Sequence, residues 1–174
     1  MESGHLLLSF MEKLTGEVDW RHFSRLSNMI LQANRVFVTG AGRSGLVARM
    51  FAMRLMHAGL AAYVTGDTTT PAAGNRDLLV AVSCTGSTGY TDYLTKRARQ
   101  LGANTAVITS EPESELTRDA DLVVVIPPVE GDIVLRASVF EHAASLCLDS
   151  VFNVLSDYMK LDPSEFRSRH ANLE

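Results

Sequence analysis

The stretch Val36-Phe37-Val38-Thr39-Gly40-Ala41-Gly42-Arg43-Ser44-Gly45 decides the fold. Val36–Thr39 is a short β-branched and aromatic run of the kind that forms strands. Three glycines follow within six residues, and a helical pattern then covers roughly Ser44–His57, with Gly59 placed to end it. A strand that runs through a glycine-rich turn into a helix sets free backbone amides and a positive helix end together, which suits an anion. The turn also satisfies G-x-G-x-x-G, and Asp67 lies near where a ribose-binding acid would fall, so a dinucleotide site is a rival reading.

The same alternation continues on both sides. Strands are expected at 61–65, 77–83, 105–109 and 122–126, and helices at 87–101, 113–118 and 132–159. The 77–83 run, DLLVAVS, is almost wholly apolar, as a strand covered on both faces must be. The pattern therefore predicts an α/β fold: a three-layer αβα sandwich around a five-stranded parallel sheet, with flavodoxin-like order. Before it, Leu7, Leu8, Met11 and Leu14, then Phe23, Leu26, Met29, Ile30 and Ala33, mark two helices. Gly16 separates them and Asp19 is placed to cap the second. One domain is expected over 1–174, with helices to 34, the sheet core over 35–128, and a long helix and tail over 129–174. Phe10, Met11, Trp20 and Phe23 exceed what one face of the sheet obviously needs, and either an oligomer interface or core packing accounts for them.

Sheets of this kind bind ligands beyond the carboxyl ends of their strands, which points to the loops after Thr39, Ser83 and Thr109. The second loop, Ser83-Cys84-Thr85-Gly86-Ser87-Thr88, brings four hydroxyls in six residues to another helix start. One would suffice for capping. A phosphate ester wants many donors and a sugar wants paired donors and acceptors, whereas a nicotinamide has no need of the cluster.

Bulk properties exclude other classes. Hydrophobic residues at 46% and charged residues at 21% are ordinary for a globular chain and argue against disorder. The net charge of −4 disfavours a nucleic-acid or anionic-membrane partner. The first residues lack a basic n-region and a cleavage site, and no apolar run approaches the ~20 residues of a membrane span. A cytoplasmic location is expected. The two cysteines, Cys84 and Cys147, are read as reduced thiols, and the five histidines form no metal-binding motif, so neither metal nor cofactor is expected.

Three stretches carry a family likeness: Val38–Val47, Phe51-Ala52-Met53-Arg54-Leu55-Met56-His57, and the terminal Arg169-His170-Ala171-Asn172-Leu173-Glu174. With the two Gly/Ser/Thr-rich loops they resemble SIS-domain phosphosugar isomerases, in particular the 6-phospho-3-hexuloisomerases. That family usually reads Ser-Gly-Ser-Gly-Glu-Thr in the second loop; here Cys84 replaces the first glycine, Thr85 the second serine and Ser87 the glutamate. The resemblance implies conversion of D-arabino-3-hexulose 6-phosphate to fructose 6-phosphate through a 2,3-enediol(ate), in the ribulose monophosphate pathway of formaldehyde assimilation. It also implies a homo-oligomer, dimer or tetramer. An isomerase of another sugar phosphate and a non-catalytic phosphosugar sensor remain open alternatives.

Such a reaction needs positioned acid/base groups and no redox cofactor. The resemblance points to Glu141 as the base, within Ser138-Val139-Phe140-Glu141-His142-Ala143. His142 faces about 100° away on the same helix. His170, in a polar tail, is the expected proton shuttle, with a site shared between subunits if the tail leads away from the sheet. Gly42, Arg43, Ser44, Ser83, Thr85, Ser87 and Thr88 are the expected phosphate and substrate contacts. His57 lies 13 residues past Ser44, about 20 Å along one helix, too far to serve its own subunit's site. Arg49 and Arg54 read as surface ion-pair residues.

Overall fold

The computed structural model describes residues 2–173. Two helices, α1 (Glu2–Glu17) and α2 (Trp20–Gln32), lead into β1 (Val36–Gly40) and α3 (Gly42–His57). Then come β2 (Ala62–Val64), β3 (Leu78–Val82), α4 (Gly89–Gln100), β4 (Asn104–Thr109) and β5 (Leu122–Val125). The long α5 (Ile133–Met159) and the short α6 (Pro163–Ser168) complete the chain. The sheet has the order β2-β1-β3-β4-β5 and every pair is parallel, the flavodoxin-like arrangement expected. In register, Val38 sits between Val64 and Val80, and Ile108 pairs with both Val82 and Val124.

The two helical layers are unequal. On one face α2 and α3 pack on the sheet, α5 packs against both, and α1 lies against α5. This side holds the main core, from Leu26 and Ile30 through Leu55 to Phe140, Leu148 and Leu155, all buried. The other face is covered by α4 alone among the helices, over a small cluster of Phe37, Leu79, Ala98 and Ala103. Cys147 lies in the main core, where burial pushes its thiol up to about 12.

The turn between β1 and α3 explains its own glycines. A Cβ on Gly40 would stand 2.9 Å from the Gly45 nitrogen and from the Val82 oxygen, and one on Gly45 would stand 2.6 Å from the Gly40 oxygen. Strand and helix thus touch backbone to backbone. Gly42 meets no such obstacle but takes φ +57, the left-handed region that glycine enters without penalty.

Two expectations are corrected, and one open alternative is decided. Residues 113–118 form turns, not a helix: Thr117 Oγ1 donates to the Pro112 and Ser114 oxygens, and the Ser114 N–H donates to that same Oγ1. A side chain competing for backbone partners in so short a run defeats helix nucleation. Gly16 does not separate the first helices, since α1 continues to Glu17; Asp19 does cap α2, accepting from the Arg21 N–H at 3.0 Å. Phe10 and Met11 pack on the main core and Phe23 is buried in it, so core packing accounts for these. Large exposed apolar side chains stand instead on α3 (Leu46, Met50, Met53) and α5 (Leu146, Val154), besides Trp20.

The tail turns back towards α3. Lys160 takes a left-handed conformation (φ +52) after α5, and Asp162 caps α6 by accepting from the Ser164 N–H at 2.7 Å. The chain therefore folds back. Arg169 donates to the His57 carbonyl at 3.1 Å, and the His170 ring lies 4.0 Å from the His57 ring.

Candidate active site

The loops after β1, β3 and β4 meet at one end of the sheet. Stitching between them is direct: the Ser83 N–H donates to the Ile108 oxygen at 3.0 Å, and the Ser110 N–H and Thr109 Oγ1 donate to the Cys84 oxygen at 3.1 and 3.2 Å. Gly86 takes φ +59, and a Cβ there would fall 2.1 Å from Ser114 Oγ, so the 83–88 loop is pressed onto the loop that follows β4.

Within the second loop the hydroxyls are not engaged in capping. The N-cap of α4 is Thr88, whose side chain makes no capping hydrogen bond. Ser83 is buried with its Oγ 3.4 Å from Thr88 Oγ1, while Ser87 Oγ donates to Thr85 Oγ1 at 2.9 Å. Thr85 and Ser87 are exposed at the mouth of a cavity of about 420 Å³ that Cys84, Glu111, Ser114 and Arg136 also line. This size accommodates a hexose phosphate.

From the first loop, Gly42 and Arg43 are exposed and Ser44 is half-buried in the first turn of α3. Arg43 reaches across to α5 and pairs with Glu141, whose side chain is only 12% exposed. A second cavity, about 360 Å³, opens beside this pair between Leu46, Met50, His142 and Ser145. The Cys84 thiol links the two regions: burial raises its pKa, Arg136 opposes that, and both Glu111 and Glu141 add to it. Arg136 and the hydroxyl loop line the first cavity, and Glu141 lines the second. His142 hydrogen-bonds back to the Ser138 oxygen at 2.7 Å and stays exposed.

The SIS domain family profile matches residues 29–152. The chain belongs to the SIS domain family. Curated relatives of this SIS domain include the 3-hexulose-6-phosphate isomerase of Mycobacterium gastri, 43% identical over 165 residues, covering 91% of this chain and 83% of the relative. Another is the 3-hexulose-6-phosphate isomerase of Bacillus subtilis strain 168, 35% identical over 86% of this chain and 85% of the relative. Among solved structures, a Methanococcus jannaschii protein whose crystal structure infers a molecular function of 3-hexulose-6-phosphate isomerase superposes with a TM-score of 0.89 at 32% identity, each chain fully covered.

In this SIS domain the expected pair Glu141 and His170 is not brought together within one chain. Glu141 faces Arg43 at the start of α3, and His170 faces His57 at its end, about 20 Å away along the helix. Arg49 and Arg54 pair with Asp67 (2.8 Å) and Asp149 (3.3 Å) as expected. Asp67, which the dinucleotide reading placed on a ribose, is paired here with the Arg49 guanidinium. Among the described residues no three His, Cys, Asp or Glu side chains converge as a metal site needs, and no helix is long and apolar enough to cross a membrane.

The sequence reading missed Arg136 and Glu111. A signal for Arg136 exists: a cation near the start of α5 opposes the positive helix end, so its presence there asks for another reason. For Glu111 the sequence carries no comparable signal.

Burial of His57 at the end of α3 is expected to make stability depend on pH. His57 is 1% exposed, and neither ring nitrogen has a hydrogen-bond partner among the described residues. Burial lowers its pKa, and the charges of His170 and Arg54 lower it further. In the unfolded chain a histidine takes up its proton near pH ~6.5. Below that value the unfolded state binds more protons than the folded one, so stability from neutral His57 is present above it and lost as pH falls. His57→Phe should flatten the fall in melting temperature between about pH 7 and 5. An unchanged slope would assign that titration elsewhere.

Proposed function

We propose that this SIS domain is a phosphosugar isomerase that converts D-arabino-3-hexulose 6-phosphate to fructose 6-phosphate. The observation that carries this reading is the Glu141 carboxylate, 12% exposed and held by Arg43 at the turn after β1, at the same end of the sheet as the hydroxyl loop of Ser83, Thr85, Ser87 and Thr88 after β3. The named relatives support the same reaction and are matched over most of their length.

In this reading the phosphate sits against the loop hydroxyls and the start of α4, with Gly42, Arg43 and Ser44 at the neighbouring helix start. Glu141 removes the C2 proton, the electrons form the C2–C3 double bond, and the C3 carbonyl becomes an enediol oxygen. Return of the proton at C3 leaves the carbonyl at C2. No electron leaves the sugar, so the isomerisation needs no oxidant. A proton must still pass between the two oxygens. His170 serves that step only from a second copy of the chain, because its own Glu141 lies at the opposite end of α3. The exposed Leu46 and Met50, which line the Glu141 cavity, and Met53 further along α3 give such a copy an apolar face to cover.

The test is turnover. Hexulose 6-phosphate generated by an aldolase from formaldehyde and ribulose 5-phosphate is supplied to the pure protein, and fructose 6-phosphate is measured. Its appearance only when the protein is present supports the reading. Binding of the phosphosugar with no conversion would assign the domain to sensing instead.

A further inference from the structure

We propose that Arg136 is a substrate-binding residue that exchanges its carboxylate partner, Glu111, for the phosphate of the incoming sugar. The inference rests on the phosphosugar reading above and adds to it a guanidinium that faces the hydroxyl loop.

Three observations carry it. Arg136 shares the 420 Å³ cavity with Cys84, Thr85 and Ser87, and among the described residues it is the one cation lining that space. The other charged side chains there, Glu111, Glu113 and Glu115, are all acidic and would repel a phosphate dianion on their own. The Arg136–Glu111 contact is a single 3.3 Å approach between side chains that are 41% and 49% exposed. Such a pair is screened and weak, so exchanging it costs little. A guanidinium on a phosphate gains two parallel charge-assisted hydrogen bonds in place of one long contact.

The cation also sits where its own helix disfavours it. Arg136 lies at the start of α5, whose positive end is capped by Asp132 accepting from the Leu135 N–H at 2.9 Å. Arg136 is also the largest influence opposing the effect of burial on the Cys84 thiol, which lines the same cavity. Glu111, released by the exchange, is left as an acceptor for sugar hydroxyls on the same wall.

The exchange predicts opposite effects for the two partners. Calorimetric titration with fructose 6-phosphate and with inorganic phosphate is applied to the intact wild-type chain and to Arg136→Met, Arg136→Lys and Glu111→Gln. Arg136→Met should weaken both ligands by roughly ten- to a hundredfold, the worth of hydrogen bonds to a charged group. Arg136→Lys should recover part of the loss by keeping the charge without the fork. Glu111→Gln should tighten inorganic phosphate, because it removes the competing carboxylate; a purely structural ion pair would not produce tighter binding. Equal affinity for both ligands in Arg136→Met and wild type would overturn the proposal, as would weaker phosphate binding in Glu111→Gln. Wild type that binds inorganic phosphate but not fructose 6-phosphate would sink the sugar reading alone, and Arg136 would still be judged on the phosphate titration.

Discussion

Glu141→Gln is expected to lose turnover while still binding fructose 6-phosphate. A positioned general base contributes on the order of 10²–10⁴ in rate, and an amide of the same shape cannot accept the C2 proton. The loss should therefore fall in kcat, equivalent to about 3–5 kcal/mol of barrier. Binding should stay close to wild type, because the amide oxygen keeps an acceptor for Arg43 and the hydroxyl loop is untouched. Arg43 is 64% exposed, so leaving it without a full counter-charge is cheap. Product titration and steady-state rates on the same preparation separate the two effects. A variant that turns over like wild type would remove Glu141 from the chemistry and direct attention to the cavity that Glu111 lines.

The second large effect concerns stability. Phe140 is 2% exposed and is the largest of the fully enclosed side chains in the main core. Phe140→Ala removes its apolar surface from the layer between α5 and its neighbours and leaves a cavity, at a cost of about 3–5 kcal/mol. Denaturant unfolding should show a lower midpoint with an unchanged slope. Leu146→Ala on the same helix is the control: Leu146 is 54% exposed, and its loss should stay within about 0.5 kcal/mol. Equal costs for the two would mean that α5 is not seated as described. Because Phe140 precedes Glu141, its loss should also loosen the carboxylate, and activity should fall even where the variant is folded.

The elements of the fold were legible because their signals are local. Val36–Thr39, Leu78–Val82 and Leu122–Val125 announce buried strands by apolar and β-branched runs, and the glycines after β1 announce a turn. Asp132 and Asp19 mark helix starts by side chains that reach only two or three residues. From strand and helix alternation the parallel sheet follows, its flavodoxin-like order is a choice among the few that such sheets adopt, and the hydroxyl loop at the start of α4 is read directly from Ser83–Thr88. The error at 113–118 has the same scale: whether Thr117 bonds to its neighbours' carbonyls is decided within one turn of chain, where hydroxyl and backbone compete on nearly equal terms.

What tertiary structure alone decided is which distant charges meet. Arg43 and Glu141 are 98 residues apart, Arg136 and Glu111 are 25, and Arg169 reaches the His57 carbonyl across 112. Those pairings depend on how α5 lies across α3 and on the left-handed step at Lys160 that turns the tail back. Periodicity and capping report which face of an element is apolar and where it begins, since they act over one or two turns. The rotation and offset of one packed helix against another come from the fit of the whole core, and a few ångströms of that fit select a charged side chain's partner.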